Sequence, residues 1–166
     1  MGAEKLVLPK DASSSTQMLE LARIPASVWS RPINGTLEQA LAALHAYING
    51  QMPHPLYGPL GDCLPSPISA NGVRTRSELG SDFDANLRLF GRLMAVVLRL
   101  GGSLVSVQLP VLFVALIISV LPDFPYEVPT ETVEAAYYIQ KGATDVLGVL
   151  GFRALTDSRL KDSFGL

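Results

Sequence analysis

Between residues 100 and 121 the chain carries no charged side chain. A continuous helix over that run would measure about 33 Å, enough to cross the hydrocarbon core of a bilayer. Arg88, Arg92 and Arg99 precede it and Asp123 follows, a charge asymmetry of the kind that orients a membrane span. Gly101, Gly102, Ser103, Ser106, Gln108 and Pro110 crowd its first half, however. From Pro110 onward a helix reaches only about 18 Å, too short to span. Residues 111–121 are apolar on every side, so they are expected as a helix buried in protein. A membrane span over 100–121 is the alternative.

Composition sharpens that choice. Apolar residues make up 48% of the 166 and charged ones 17%, below the usual share of about 25%. The mean hydropathy is +0.30. Such a chain buries apolar surface in an assembly or in lipid, and disorder throughout is excluded. Thirteen basic against fifteen acidic side chains leave a formal charge of −2, without the basic surplus that phosphate recognition uses, so no nucleic-acid partner is expected. One cysteine, Cys63, rules out an internal disulfide framework and a cysteine-rich zinc module. Residues 1–16 lack the basic and apolar regions of a secretory signal, and Glu4 and Asp11 are out of place in a matrix-targeting helix. The cytoplasm is the expected location.

Along the chain, residues 1–31 read as a flexible tail: Asp11 to Thr16 is poor in apolar content, and Pro9, Pro25 and Pro32 punctuate its surroundings. At most a short helix fits at 16–22. The first firm helix spans 37–48, with Thr36 and Gln39 as a capping box and Leu37, Leu41, Leu44 and Ile48 on one face. Asn49-Gly50 ends it. Pro53, Pro55, Pro59, Pro65 and Pro67 then forbid a continuous helix or central strand through 51–80. A second helix covers 84–100, capped by Asp82 or Asp84 and stopped by Gly101-Gly102. Phe90, Leu93, Met94 and Val97 form its apolar stripe, and Arg88, Arg92 and Arg99 are expected on its solvated side. Another helix starts at Thr130, with acidic Glu131 and Glu134 early and Lys141-Gly142 at its end.

Catalytic signatures are missing. There is no Gly-x-Ser-x-Gly elbow, phosphate-binding glycine loop, His-Glu-x-x-His or dinucleotide fingerprint. His45 lies in a helix and His54 in a proline-rich loop, with no third ligand at metal-binding spacing. Asp62 beside Cys63 disfavours the thiolate that a nucleophile needs. Asn34-Gly35-Thr36 fits a glycosylation triplet, but a turn before a capping threonine explains it equally. No catalytic residue, metal or cofactor is assigned.

The string Leu89-Phe90-Gly91-Arg92-Leu93-Met94-Ala95-Val96-Val97-Leu98-Arg99 resembles a helix of HECT-type ubiquitin ligases with the pattern Phe-Leu-Gly-x-Leu-Met-Gly-x-Ala-x-Arg. Gly101-Gly102-Ser103-Leu104 and Val107-Gln108-Leu109-Pro110 with the apolar residues after them resemble the family's next segment, a Leu-x-Leu-Pro turn entering an apolar helix. Residues 40–48 followed by Leu64-Pro65-Ser66-Pro67 are similar to a helix and Ile-Pro-x-Pro-Asn turn of the large, repeat-carrying HECT ligases, with Asn71 displaced. Ala95 replaces the second glycine, and Val114 stands where an aromatic is frequent. The similarity covers residues 36–121.

The resemblance implies a mainly α chain, a HECT N-lobe-like helical fragment with a long proline-rich loop. Its divisions would be a flexible tail at 1–31, the N-lobe-like region at 32–129 and a divergent helical segment at 130–166. The implied function is that of an N-lobe scaffold in ubiquitin transfer, without the lobe that carries the family's thioester-forming cysteine. Cys63 lies in the wrong region to be that nucleophile, so the chain alone is expected to be inactive. A ubiquitin-conjugating enzyme and the remainder of a HECT domain are the implied partners. The alternatives are a single-pass membrane subunit of a larger complex, spanning 100–121, and a non-enzymatic helical interaction module.

Overall fold

Thr36 accepts a hydrogen bond from the Gln39 N–H while the Gln39 side chain accepts from the Thr36 N–H. This reciprocal cap starts the helix Leu37–Ile48 at the boundary its sequence predicts. The computed structural model describes residues 5–58, 62–69, 72–104 and 130–148. In chain order these give β1 (Leu6–Val7), α1 (Ser15–Ala22), β2 (Ile33–Asn34), α2 (Leu37–Ile48), β3 (Ile68–Ser69), β4 (Gly72–Val73), α3 (Arg76–Leu79), α4 (Phe83–Arg99) and α5 (Thr130–Leu147). The chain is mainly helical. β1 and β2 pair in parallel, and β3 and β4 form a small antiparallel hairpin.

α4 is the centre. From Leu93 to Leu98 every residue on it is buried, and α2 and α5 pack against it. Its contact with α5 is the most extensive between two elements among the described residues. Two glycines make that contact close. A Cβ on Gly91 would lie 2.8 Å from the carbonyl carbon of Ile139 and 3.0 Å from the Ala143 nitrogen. On the facing helix, a Cβ on Gly142 would lie 2.8 Å from the Arg88 carbonyl carbon and 3.0 Å from the Arg92 nitrogen. Each helix therefore offers its one missing side chain to the backbone of the other. The helix expected to end at Lys141-Gly142 runs on to Leu147 for this reason: Gly142 serves packing, and its helix-propensity cost of about 1 kcal/mol is offset by the close approach.

The expected tail is a packed part of the structure from residue 5 onward. Leu6, Leu8, Met18, Leu21 and Trp29 all belong to the core. Ser14 caps α1 by accepting from the Gln17 N–H, and the Trp29 indole N–H donates to the Ile24 carbonyl at 3.2 Å. The buried face of α2 is also turned from the expected one. Ala40, Ala43, Leu44 and Tyr47 are wholly inside, while Leu37, Leu41 and Ile48 are partly covered. Small alanines let α2 lie close to α4, and Tyr47 then reaches Asn86, donating to both its backbone carbonyl and its side-chain oxygen. Burial pushes the Tyr47 phenol well above its ordinary range, so it stays protonated and remains a donor.

Among the described residues no continuous helix or central strand runs through the proline-rich segment, and a single helical turn forms beyond its last proline. Thr75-Arg76-Ser77-Glu78 forms the capping box that opens α3. α4 stops at Gly101, whose φ of 85° is ready for glycine alone. Of the proposed span, residues 105–121 lie outside the described residues, as does the expected helix at 111–121. Among the described residues no helix is long and apolar enough to cross a membrane.

Candidate functional site

A groove of about 640 Å³ opens where the loop carrying His54, Pro55 and Leu56 meets the first turns of α4 and the Tyr138 and Lys141 face of α5. The prolines on either side of His54 restrict the loop, and two hydrogen bonds fix the imidazole. Its Nδ1 accepts from the Leu56 N–H at 3.1 Å, so the proton sits on Nε2, which donates to Asp82 Oδ2 at 2.8 Å. Both ring nitrogens are thus engaged. Asp82 occupies the N-cap position of α4 as expected, yet its side chain makes no capping hydrogen bond. Its carboxylate is committed to His54 instead.

Deeper along α4, Arg88 and Arg92 stand one helical turn apart and converge on Asp145 in the last turn of α5. Arg88 binds it bidentately, Nε to Oδ2 and Nη2 to Oδ1, both at 2.7 Å, and Arg92 Nε donates to Oδ2 at 2.7 Å. The expected solvated arginine face is thus corrected. The Arg92 side chain is only 13% exposed and that of Arg88 32%, because α5 covers that side of α4. Arg92 also lies over the Trp29 ring, 5.3 Å from its centroid. Of the three arginines Arg99 alone is exposed, and it donates to the Arg31 carbonyl at 2.9 Å.

The electrostatics follow from this sharing. Burial lowers the Arg92 guanidinium from its ordinary value against the pull of Asp145. The Asp145 hydrogen bonds raise Arg88, which is less desolvated. Burial alone would raise the Asp145 carboxyl, but the hydrogen bonds and charges of the two arginines outweigh it and hold the group below the usual carboxylate range. Lys141 stands at the rim, 5.7 Å from the Tyr137 ring centroid. Asp82 and Asp84 line the same groove, so with Asp145 three carboxylates balance Arg88, Arg92 and Lys141. Leu56 at its edge is 78% exposed and the neighbouring Tyr57 63%, an apolar lip.

The two histidines are not brought together: His45 is on the exposed side of α2, and His54 alone lines the groove. Among the described residues no group of three ligating side chains converges on a metal position. Cys63 is exposed, and its residue bridges to Pro53. Sequence reasoning missed Asp145 and the pairing of His54 with Asp82. The arginine spacing carried half of the signal, since residues four apart share a helix face, but the acid that answers them is 53 residues beyond Arg92. No protein-family model matches the chain, and neither a curated protein nor a solved structure matches it.

Proposed function

We propose that the chain is a segment of the N-lobe of a HECT-type ubiquitin ligase, a helical scaffold in ubiquitin transfer with no transfer activity of its own. The observation that carries this reading is the place of the Leu89–Arg99 string. The helix that resembles the family's pattern is the buried centre of the fold, and Gly91, the glycine it has in common with that pattern, is the point where α5 crosses. A scaffold needs such a fixed centre, and the Arg88–Asp145–Arg92 cluster ties the same two helices together. In this reading the partners are a ubiquitin-conjugating enzyme and the remainder of the HECT domain, and the setting is cytoplasmic.

Co-expression of the full chain with the remainder of a HECT domain from a large, repeat-carrying ligase tests the proposal. Co-purification as one complex supports it. Two soluble proteins that elute apart contradict it, and so does resistance of the chain to alkaline extraction from membranes, the result that a span over 100–121 requires. The exposed Leu56 and Tyr57 above the groove favour a second reading, a helical interaction module outside ubiquitin transfer. That reading predicts the separate elution just described.

A further inference from the structure

A second groove, of about 500 Å³, runs along β1. One wall is Lys5 and Val7 to Lys10, and the other is Gln17, Glu20 and Leu21 of α1 with Ile24, Pro25 and Val28. β1 has a partner on one edge alone among the described residues. Leu6 and Leu8 donate to the Pro32 and Asn34 carbonyls at 2.9 and 3.1 Å. In a strand successive residues direct their N–H and C=O groups to opposite edges, so those of Val7 point away from β2, and the exposed Val7 lines the groove. An open strand edge above an apolar floor is the geometry of β-strand addition.

We infer that β1 docks an extended, acidic peptide segment of a partner protein, which adds as a strand along Val7 and seats apolar side chains against Ile24, Pro25 and Val28. Charge selects this occupant. Lys5 and Lys10 stand at the two ends of the edge against the single acid Glu20, and no ion pair among the described residues uses either lysine. The site stands independently of the ligase reading, because none of its residues belongs to the segment that resembles that family.

The test uses two fluorescein-labelled peptides of about six residues, a usual strand length, one alternating Glu with Val and one alternating Lys with Val. Fluorescence anisotropy with the full chain is expected to favour the acidic peptide by at least about tenfold and to weaken as salt rises and screens the lysines. Amide shifts in the NMR spectrum should fall in residues 5–10 and 17–28. Val7→Pro is the decisive variant. Proline is tolerated on an edge strand whose N–H faces outward, so the melting temperature should hold while binding drops by about tenfold or more. Should that variant unfold, Lys5→Glu with Lys10→Glu decides instead, by reversing the preference to the Lys/Val peptide. Equal binding of both peptides, undiminished binding to a folded Val7→Pro variant, shifts confined to other residues, or a dimer that Val7→Pro dissociates would each overturn the inference.

Discussion

Replacing Gly91 with alanine puts a methyl group where the backbone of α5 already lies. The new Cβ would be 2.8 Å from the Ile139 carbonyl carbon, closer still to its oxygen, and 3.0 Å from the Ala143 nitrogen. Ordinary contact begins near 3.4 Å and the oxygen is well inside it, so the helices must part by more than about an ångström, a gap that forfeits about half or more of the dispersion attraction across it. The obstacle is backbone, which cannot rotate aside. The upper part of the usual overpacking range, about 3 kcal/mol, therefore applies. Alanine returns about 1 kcal/mol through its better helix propensity, leaving a net loss of about 2 kcal/mol. For a chain of this size that lowers the melting temperature by about 4–8 °C, read by circular dichroism or from the urea midpoint of the full chain. Gly142→Ala should behave alike, and the double variant should lose less than the two singles together, because helices already pushed apart admit the second methyl more easily. A neutral or stabilising Gly91→Ala would refute the reasoning, since propensity alone would then decide.

The Asp145 carboxyl is depressed in the folded chain, so its contribution is full above the unfolded value near 3.9 and is lost as pH falls through the lower folded value. Asp145→Asn should accordingly destabilise the chain at neutral pH, by about 3–5 kcal/mol if Arg92 is left as an unpaired buried charge, and should flatten the stability loss below about pH 4; an unchanged acid limb in urea titrations would count against the cluster. Leu93→Ala should cost about 2–5 kcal/mol as a core truncation, and Arg92→Ala should also destabilise measurably, whereas Arg99→Ala should stay within about 0.5 kcal/mol. An Arg92→Ala variant as stable as the parent would return that arginine to solvent. Cys63 is exposed, so a maleimide should label it in the native state without denaturant, and Cys63→Ala should leave ubiquitin transfer by any assembly containing the chain unchanged; a reducible ubiquitin adduct on Cys63 would reverse that view.

What was legible in the sequence was local. The α2 cap needs only Thr36 and Gln39, three residues apart, and the end of α4 needs only Gly101-Gly102, so both boundaries could be read directly. The errors share one cause, interactions between residues distant in sequence. Asp82 looks like a cap until His54, 28 positions earlier, takes its carboxylate. Gly142 looks like a helix stop until Arg88 and Arg92 are seen to pass over it. The arginine side of α4 has the periodicity of a solvated face, and only the fold brings Asp145 and Trp29 to it. Residues 5–31 look like a tail because Lys10 to Gln17 holds Ala12 as its one apolar residue and the strand before it is two residues long, too short for any periodicity to register. The candidate groove was the least legible feature, since three separated segments build it.

The scaffold reading is tested most directly by exchange. Residues 36–121 would replace the corresponding N-lobe segment in an active HECT ligase, and the chimera's ubiquitin thioester would be followed on a non-reducing gel after addition of a charged ubiquitin-conjugating enzyme. The account predicts a folded chimera that forms the reducible adduct on the ligase's own cysteine at a rate within about tenfold of the parent, and that loses it when Leu93→Asp is introduced. A chimera that folds with a cooperative transition but forms no thioester would contradict the account.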